Sequence, residues 1–64
     1  MTIRDLLARC ENANRYAVKV TTSLLNLDLF VGDVGEPVPE HILDNGVARW
    51  YLPEYEADLI EIYT

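Results

Sequence analysis

The chain of 64 residues holds a single cysteine, a single tryptophan, a single histidine and only five basic residues. Each shortage closes off a way of building or using a small protein. One cysteine, Cys10, leaves no internal disulfide, the usual staple of a secreted domain of this size, so a reducing, cytoplasmic setting is expected. No run approaches the ~20 apolar residues that a membrane helix needs, and Arg4, Asp5 and Arg9 interrupt the opening "MTIRDLLARC" where a signal peptide would be continuously apolar. The glycine-rich phosphate loop, the dinucleotide fingerprint and the Gly-x-Ser-x-Gly turn are all missing. Cys10 and His41 stand 31 positions apart with no companions of their kind, too few for a structural zinc site or a cysteine–histidine nucleophile. The expectation is a protein that is not an enzyme and carries neither cofactor nor metal.

Positive charge is scarce and unevenly placed. Eleven acidic residues face five basic ones, for a net charge of −6. Through Leu27, Arg4, Arg9, Arg15 and Lys19 outweigh Asp5 and Glu11 by +2, whereas from Asp28 onward nine acids face only Arg49, a balance of −8. Such a surface repels a phosphate backbone, so direct nucleic-acid binding is not expected, while a basic protein partner is electrostatically allowed. Dense acid also serves plain solubility.

What is present describes a folded domain. Half of the residues are hydrophobic and a quarter are charged, the usage of a globular chain. One domain over residues 1–64 is expected, burying only about 60% of the surface of its unfolded form. Ile3, Leu6, Leu7 and Cys10 follow the i, i+3, i+4, i+7 stripe of an amphipathic helix over about residues 2–11, capped by Thr2, with Asp5 near its positive end and Cys10 facing the core. "YAVKVTT" alternates and predicts a half-buried strand. "LLNLDLFVGDV" alternates too, with Leu25, Leu27, Leu29 and Val31 opposite Asn26, Asp28, Phe30 and Gly32, and the two make a hairpin whose turn type and register the residues leave open.

Pro37 biases Glu36 to an extended shape, and Pro39 suits the first turn of a short helix over about residues 39–44. Val38 and Ile42 or Leu43 anchor that helix, and "DNG" stops it with residues that accept a left-handed backbone. "VARWYL" and "ADLIEIYT" are the last two strands, joined by the loop "PEYE", with Ile60 and Ile62 on one face and Leu59, Glu61 and Tyr63 on the other. The fold class is therefore α+β: a small antiparallel sheet of about four strands, the N-terminal helix across one face, and a short second helix.

Laid out in this order, Phe30, Gly32, Val34, Pro39, Leu43, Asp44 and Val47 form a pattern of Phe-x-Gly-x-Val followed by a proline-started short helix ending in Leu-Asp. The chain resembles a family of small uncharacterised proteins from the genomes, phages and other mobile elements of Gram-positive bacteria. It departs from that pattern in its longer "GEPVP" and "PEYE" loops. The resemblance implies a fold and no activity, since its motifs consist of packing and turn residues.

Few side chains offer chemistry. Glu40, His41 and Asp44 lie on neighbouring turns of the short helix but are too few for a ligand set, and they suit a solvated helix end. Glu54, Glu56, Asp58 and Glu61 form an acidic surface that nothing in the sequence encloses, so it lacks the pocket that catalytic carboxylates need. Cys10 sits on the apolar stripe and is expected to be buried and inert. Lys19 and Arg49 suit exposed strand faces or edges.

Trp50 and Tyr51 are adjacent on a strand and so point to opposite faces. Whichever joins Tyr55, Tyr63 or Phe30 on one surface makes an aromatic patch fit for a partner or a second copy of the chain. Trp50, Tyr51, Tyr55 and Tyr63 are the candidate interface. The expected function is a protein-interaction module, self-associating as a homodimer through a sheet face or open edge. The alternative is an acidic inhibitor from a mobile element, whose Glu54, Glu56, Asp58 and Glu61 stand in for phosphates in the groove of a host nuclease or regulator.

Overall fold

A computed structural model describes residues 1–64 and places the elements in the expected order. Helix α1 (Ile3–Ala8) is followed by a 3-10 turn (Ala13–Arg15) and strands β1 (Ala17–Thr21) and β2 (Asp28–Val31). Helix α2 (Glu40–Leu43), β3 (Arg49–Tyr51) and β4 (Leu59–Tyr63) complete the chain. The fold is a small α+β domain.

α1 is shorter than its apolar stripe. At its start the Asp5 backbone N–H donates to Thr2 Oγ1 at 3.2 Å and the Thr2 N–H donates to an Asp5 carboxylate oxygen at 3.0 Å, a reciprocal capping box. This contact holds the Asp5 carboxyl below its usual range, chiefly through the Thr2 N–H. Cys10 follows the helix, half-buried against the core.

The four strands form one sheet in the order β2-β1-β4-β3. β1 and β2 make the expected antiparallel hairpin, closed by Asn26, which takes the left-handed backbone (φ 54°) as its N–H donates to the Thr22 carbonyl at 2.8 Å. Leu24, Leu25 and Leu27 belong to this turn, all exposed, rather than to a strand. A bulge follows: Val20 pairs with Phe30 but Thr21 with Asp28, so Leu29 is the extra residue.

The central pair corrects the expectation of an all-antiparallel sheet. β1 and β4 run parallel, Val18 beside Ile60 and Val20 beside Ile62. Parallel pairing needs a long crossover, and residues 32–48 with α2 supply it. The physical gain is central placement for the two strands richest in Val and Ile.

Val18, Val20, Ile60 and Ile62 face Ile3 and Leu6 of α1, Ile42 of α2 and Val38 just before it, and these eight form one buried cluster. Both helices thus lie on the same side of the sheet, tied at the surface by Arg4, which reaches Glu40 at 2.8 Å and Asp44 at 3.2 Å. The crossover leaves β2 at Gly32, where a Cβ would lie 2.5 Å from the Phe30 ring, so any larger residue in this Phe-x-Gly step would displace that ring. Gly35 (φ 81°) turns the chain between Asp33 and Glu36.

α2 does not end in a left-handed residue. Asp44 has φ −88°, and the backbone after it joins the start of the chain, with the Ile3 N–H donating to the Asn45 carbonyl and the Val47 N–H to the Met1 carbonyl.

Candidate functional site

Alternation along the strands sends Lys19 and Thr21 of β1, Glu61 and Tyr63 of β4, Arg49 and Tyr51 of β3, and Val31 of β2 away from the helices. No helix covers this side, although Thr21 is itself buried there. Asp28 joins it by accepting from Thr21 Oγ1 at 3.1 Å and lying 4.0 Å from the Lys19 ammonium. At one end the face closes, since Leu59 is buried although it lies on the same side as Glu61.

Three of the four candidate aromatics meet here. Tyr51 and Tyr63 stack edge to face with centroids 5.9 Å apart, and the Arg49 guanidinium lies 4.7 Å from the centre of the Tyr63 ring. The Tyr63 hydroxyl donates to one Glu61 carboxylate oxygen at 3.0 Å, and the Tyr55 hydroxyl, from the β3–β4 loop, donates to the other. Trp50 points to the opposite side of the sheet. There its half-exposed ring lines an apolar groove of about 420 Å3 with Leu7, Cys10, Tyr16 and Leu52. The four residues are therefore two sites, and only strand parity, already legible, separates them.

The Glu61 contacts move two phenols. The hydrogen bond to one Glu61 oxygen, with desolvation and the repulsion of the carboxylate charge, pushes Tyr55 up to about 12, and a second hydrogen bond, to the other oxygen, raises Tyr63. A raised phenol favours the protonated form, so this contribution to stability is complete below the unfolded value near 10 and fades as the pH climbs through about 12. In an ultraviolet phenolate titration of the folded protein, part of the signal is expected to appear late. Glu61→Ala removes the acceptor and moves that part to lower pH; an unchanged titration would refute the contact.

The acids are not one cluster. Glu54, Glu56 and Asp58 are exposed on the loop before β4, while Glu61 sits in the face among tyrosines. Glu40 and Asp44 are occupied by Arg4, and His41 is exposed. No three His, Cys, Asp or Glu side chains converge on a point that could hold a metal ion.

The aliphatic half of the face was missed in the sequence because an exposed Val or Leu in a strand carries the same signal as a buried one. Val31 is 65% exposed and Leu29 41%. They add apolar surface at the outer edge of β2. No helix is long and apolar enough to cross a membrane. Family models, curated proteins and solved structures were each compared with the chain, and none matches.

Proposed function

We propose that the protein is a small non-enzymatic interaction module that works by self-association, burying the uncovered sheet face against a second copy. The observation that carries this reading is the charge of the face. In a chain of net charge −6, the face holds Lys19 and Arg49 against Asp28 and Glu61, a sum of zero. Two copies of so acidic a chain repel each other overall, and a face whose charges sum to zero adds nothing to that repulsion. Its apolar content, from Val31, Leu29, Tyr51, Tyr55 and Tyr63, is what an interface core uses.

Size sets the affinity. Four strands of up to five residues span roughly 17 by 19 Å, less than the ~800 Å2 each partner gives to a standard interface. An interface this small is expected to hold with a dissociation constant in the micromolar range. A cytoplasmic setting, where Cys10 stays reduced, and the resemblance to small proteins of Gram-positive bacteria and their mobile elements belong to this reading.

Light scattering across concentration, at ~50 and ~500 mM salt, tests it over a several-fold change in screening length. A dimer that persists at both salts supports self-association. A monomer throughout refutes it and leaves Glu54, Glu56 and Asp58 as the next surface, to be tested as a phosphate mimic by capture of basic partners that salt releases.

A further inference from the structure

The sheet face is not only neutral but self-complementary, and this inference rests on the self-association reading above. Across the order β2-β1-β4-β3 the pairing registers define two rows of side chains on the uncovered side. The first runs Val31, Lys19, Glu61, Tyr51, and the second Asp28, Thr21, Tyr63, Arg49. Each row reads apolar or acidic at one end and aromatic or basic at the other, with opposite charges in mirror positions about the line between β1 and β4.

We propose that two copies pack face to face about a two-fold axis that runs parallel to the strands, between β1 and β4. That operation lays β1 of one copy over β4 of the other, and β2 over β3. Lys19 then meets the second copy's Glu61, Asp28 meets Arg49, Val31 meets the Tyr51 ring, and Thr21 meets Tyr63, each pair occurring twice as an isologous interface requires. Sheets stack about 10 Å apart with strands within about 30° of alignment, which keeps the central Lys19–Glu61 pairs in register and the outer Asp28–Arg49 pairs within reach of the arginine side chain.

The other two-fold in the plane of the face, perpendicular to the strands, lays β1 over β1 and exchanges the two rows. It sets Lys19 on Thr21, Glu61 on Tyr63 and Asp28 on Val31, so that no charge meets its opposite and a carboxylate is buried against an aliphatic side chain. Desolvating charge with no opposite charge across the interface is costly, and the parallel axis gives each of the four charged side chains one.

Charge exchange at the outer pair tests the arrangement. Asp28→Arg places arginine against Arg49 twice, and Arg49→Glu places glutamate against Asp28 twice. Each variant alone is expected to dimerise about 100-fold or more weakly than the unaltered chain, because close like charges are strongly unfavourable in an interface. Mixed in equal amounts, the two form a heterodimer in which the introduced arginine of one chain faces the introduced glutamate of the other, while the retained Arg49 faces the retained Asp28. Both outer pairs are then opposite in charge, so the dimer mass should return to within about tenfold of the original affinity.

Both positions are exposed, and circular dichroism verifies folding. Should either variant fail to fold, Lys19→Glu and Glu61→Lys pose the same question at the inner pair. If the unaltered chain dimerises but the mixture stays monomeric, or either variant dimerises alone as tightly as the unaltered chain, this register is wrong while self-association stands. If the unaltered chain is monomeric at every concentration, both fall.

Discussion

Ile62→Ala is expected to lower the melting temperature by roughly 10–25 °C, the largest loss of any single truncation in the chain. Ile62 is fully buried, as are Val20 and Ile3, and it sits where β4 meets both neighbours, beside Val20 on β1 and Trp50 on β3. Removing the side chain of a buried isoleucine costs about 2–5 kcal/mol, and the upper part of that range applies where the surroundings cannot collapse into the space. Here three of the four strands and the helix layer meet around the site, so collapse would shift hydrogen-bonded strands.

The whole domain has only about 3–10 kcal/mol to lose at 0.05–0.15 kcal/mol per residue. A cluster of eight buried residues offers no redundancy. The control is Val31→Ala, at a residue 65% exposed, which should leave the melting temperature of the monomer nearly unchanged. Thermal unfolding at a dilution where the chain is monomeric separates the two, because a dimer's melting temperature depends on concentration. Equal effects at Ile62 and Val31 would mean that the core does not lie where the helices place it.

The groupings behind the core that Ile62 anchors were legible in the sequence. Alternation in "YAVKV" and "DLIEIY" put Val18 with Val20 and Ile60 with Ile62, and the helical stripe put Ile3 with Leu6; that these three groups pack on one another is what the fold adds. Thr2 and Asp5 marked the start of α1 because capping is a contact between residues three apart. Strand order was not legible in the same way. A period-two pattern states which residues share a face and says nothing of which strand lies beside which, so the parallel β1–β4 pair could not be separated from an antiparallel one.

α2 stops at "DNG" as expected, but without a left-handed cap, for a related reason. Asp44, Asn45 and Gly46 carry the local signal of a left-handed cap, but backbone pairing with residues 1–3, more than forty positions away, settled the conformation. The candidate site divides along the same line. That Trp50 and Tyr51 diverge was a property of one strand. That Tyr51, Tyr55 and Tyr63 gather around Glu61 depended on β3 pairing with β4, an adjacency the short "PEYE" loop allows but does not state.

Val31→Glu separates the folded monomer from the assembly, and its expected signature is opposite to that of Ile62→Ala. In the monomer Val31 lies on an edge strand, facing water, so a glutamate there costs the fold nearly nothing, and charge on an exposed edge discourages irregular pairing. In the dimer the same position faces the Tyr51 ring. A carboxylate brought there loses its water, and the cation beside it, Lys19, is already taken up by the second copy's Glu61, a penalty of about 1–3 kcal/mol on the scale of protein substitutions. Two-fold symmetry doubles it, because every dimer contains the contact twice.

Self-association is therefore expected to weaken by roughly 30-fold to more than 1,000-fold, taking about 1.4 kcal/mol per factor of ten, with the monomer's melting temperature unchanged. Sedimentation equilibrium measures the first quantity and dilute thermal unfolding the second. Leu24→Glu supplies the contrast: Leu24 is 92% exposed at the hairpin tip, beyond the paired rows, and should shift the equilibrium far less. If both substitutions weaken association equally, the contact lies at the hairpin leucines and not across the sheet. If neither does, the uncovered face is not where two copies meet.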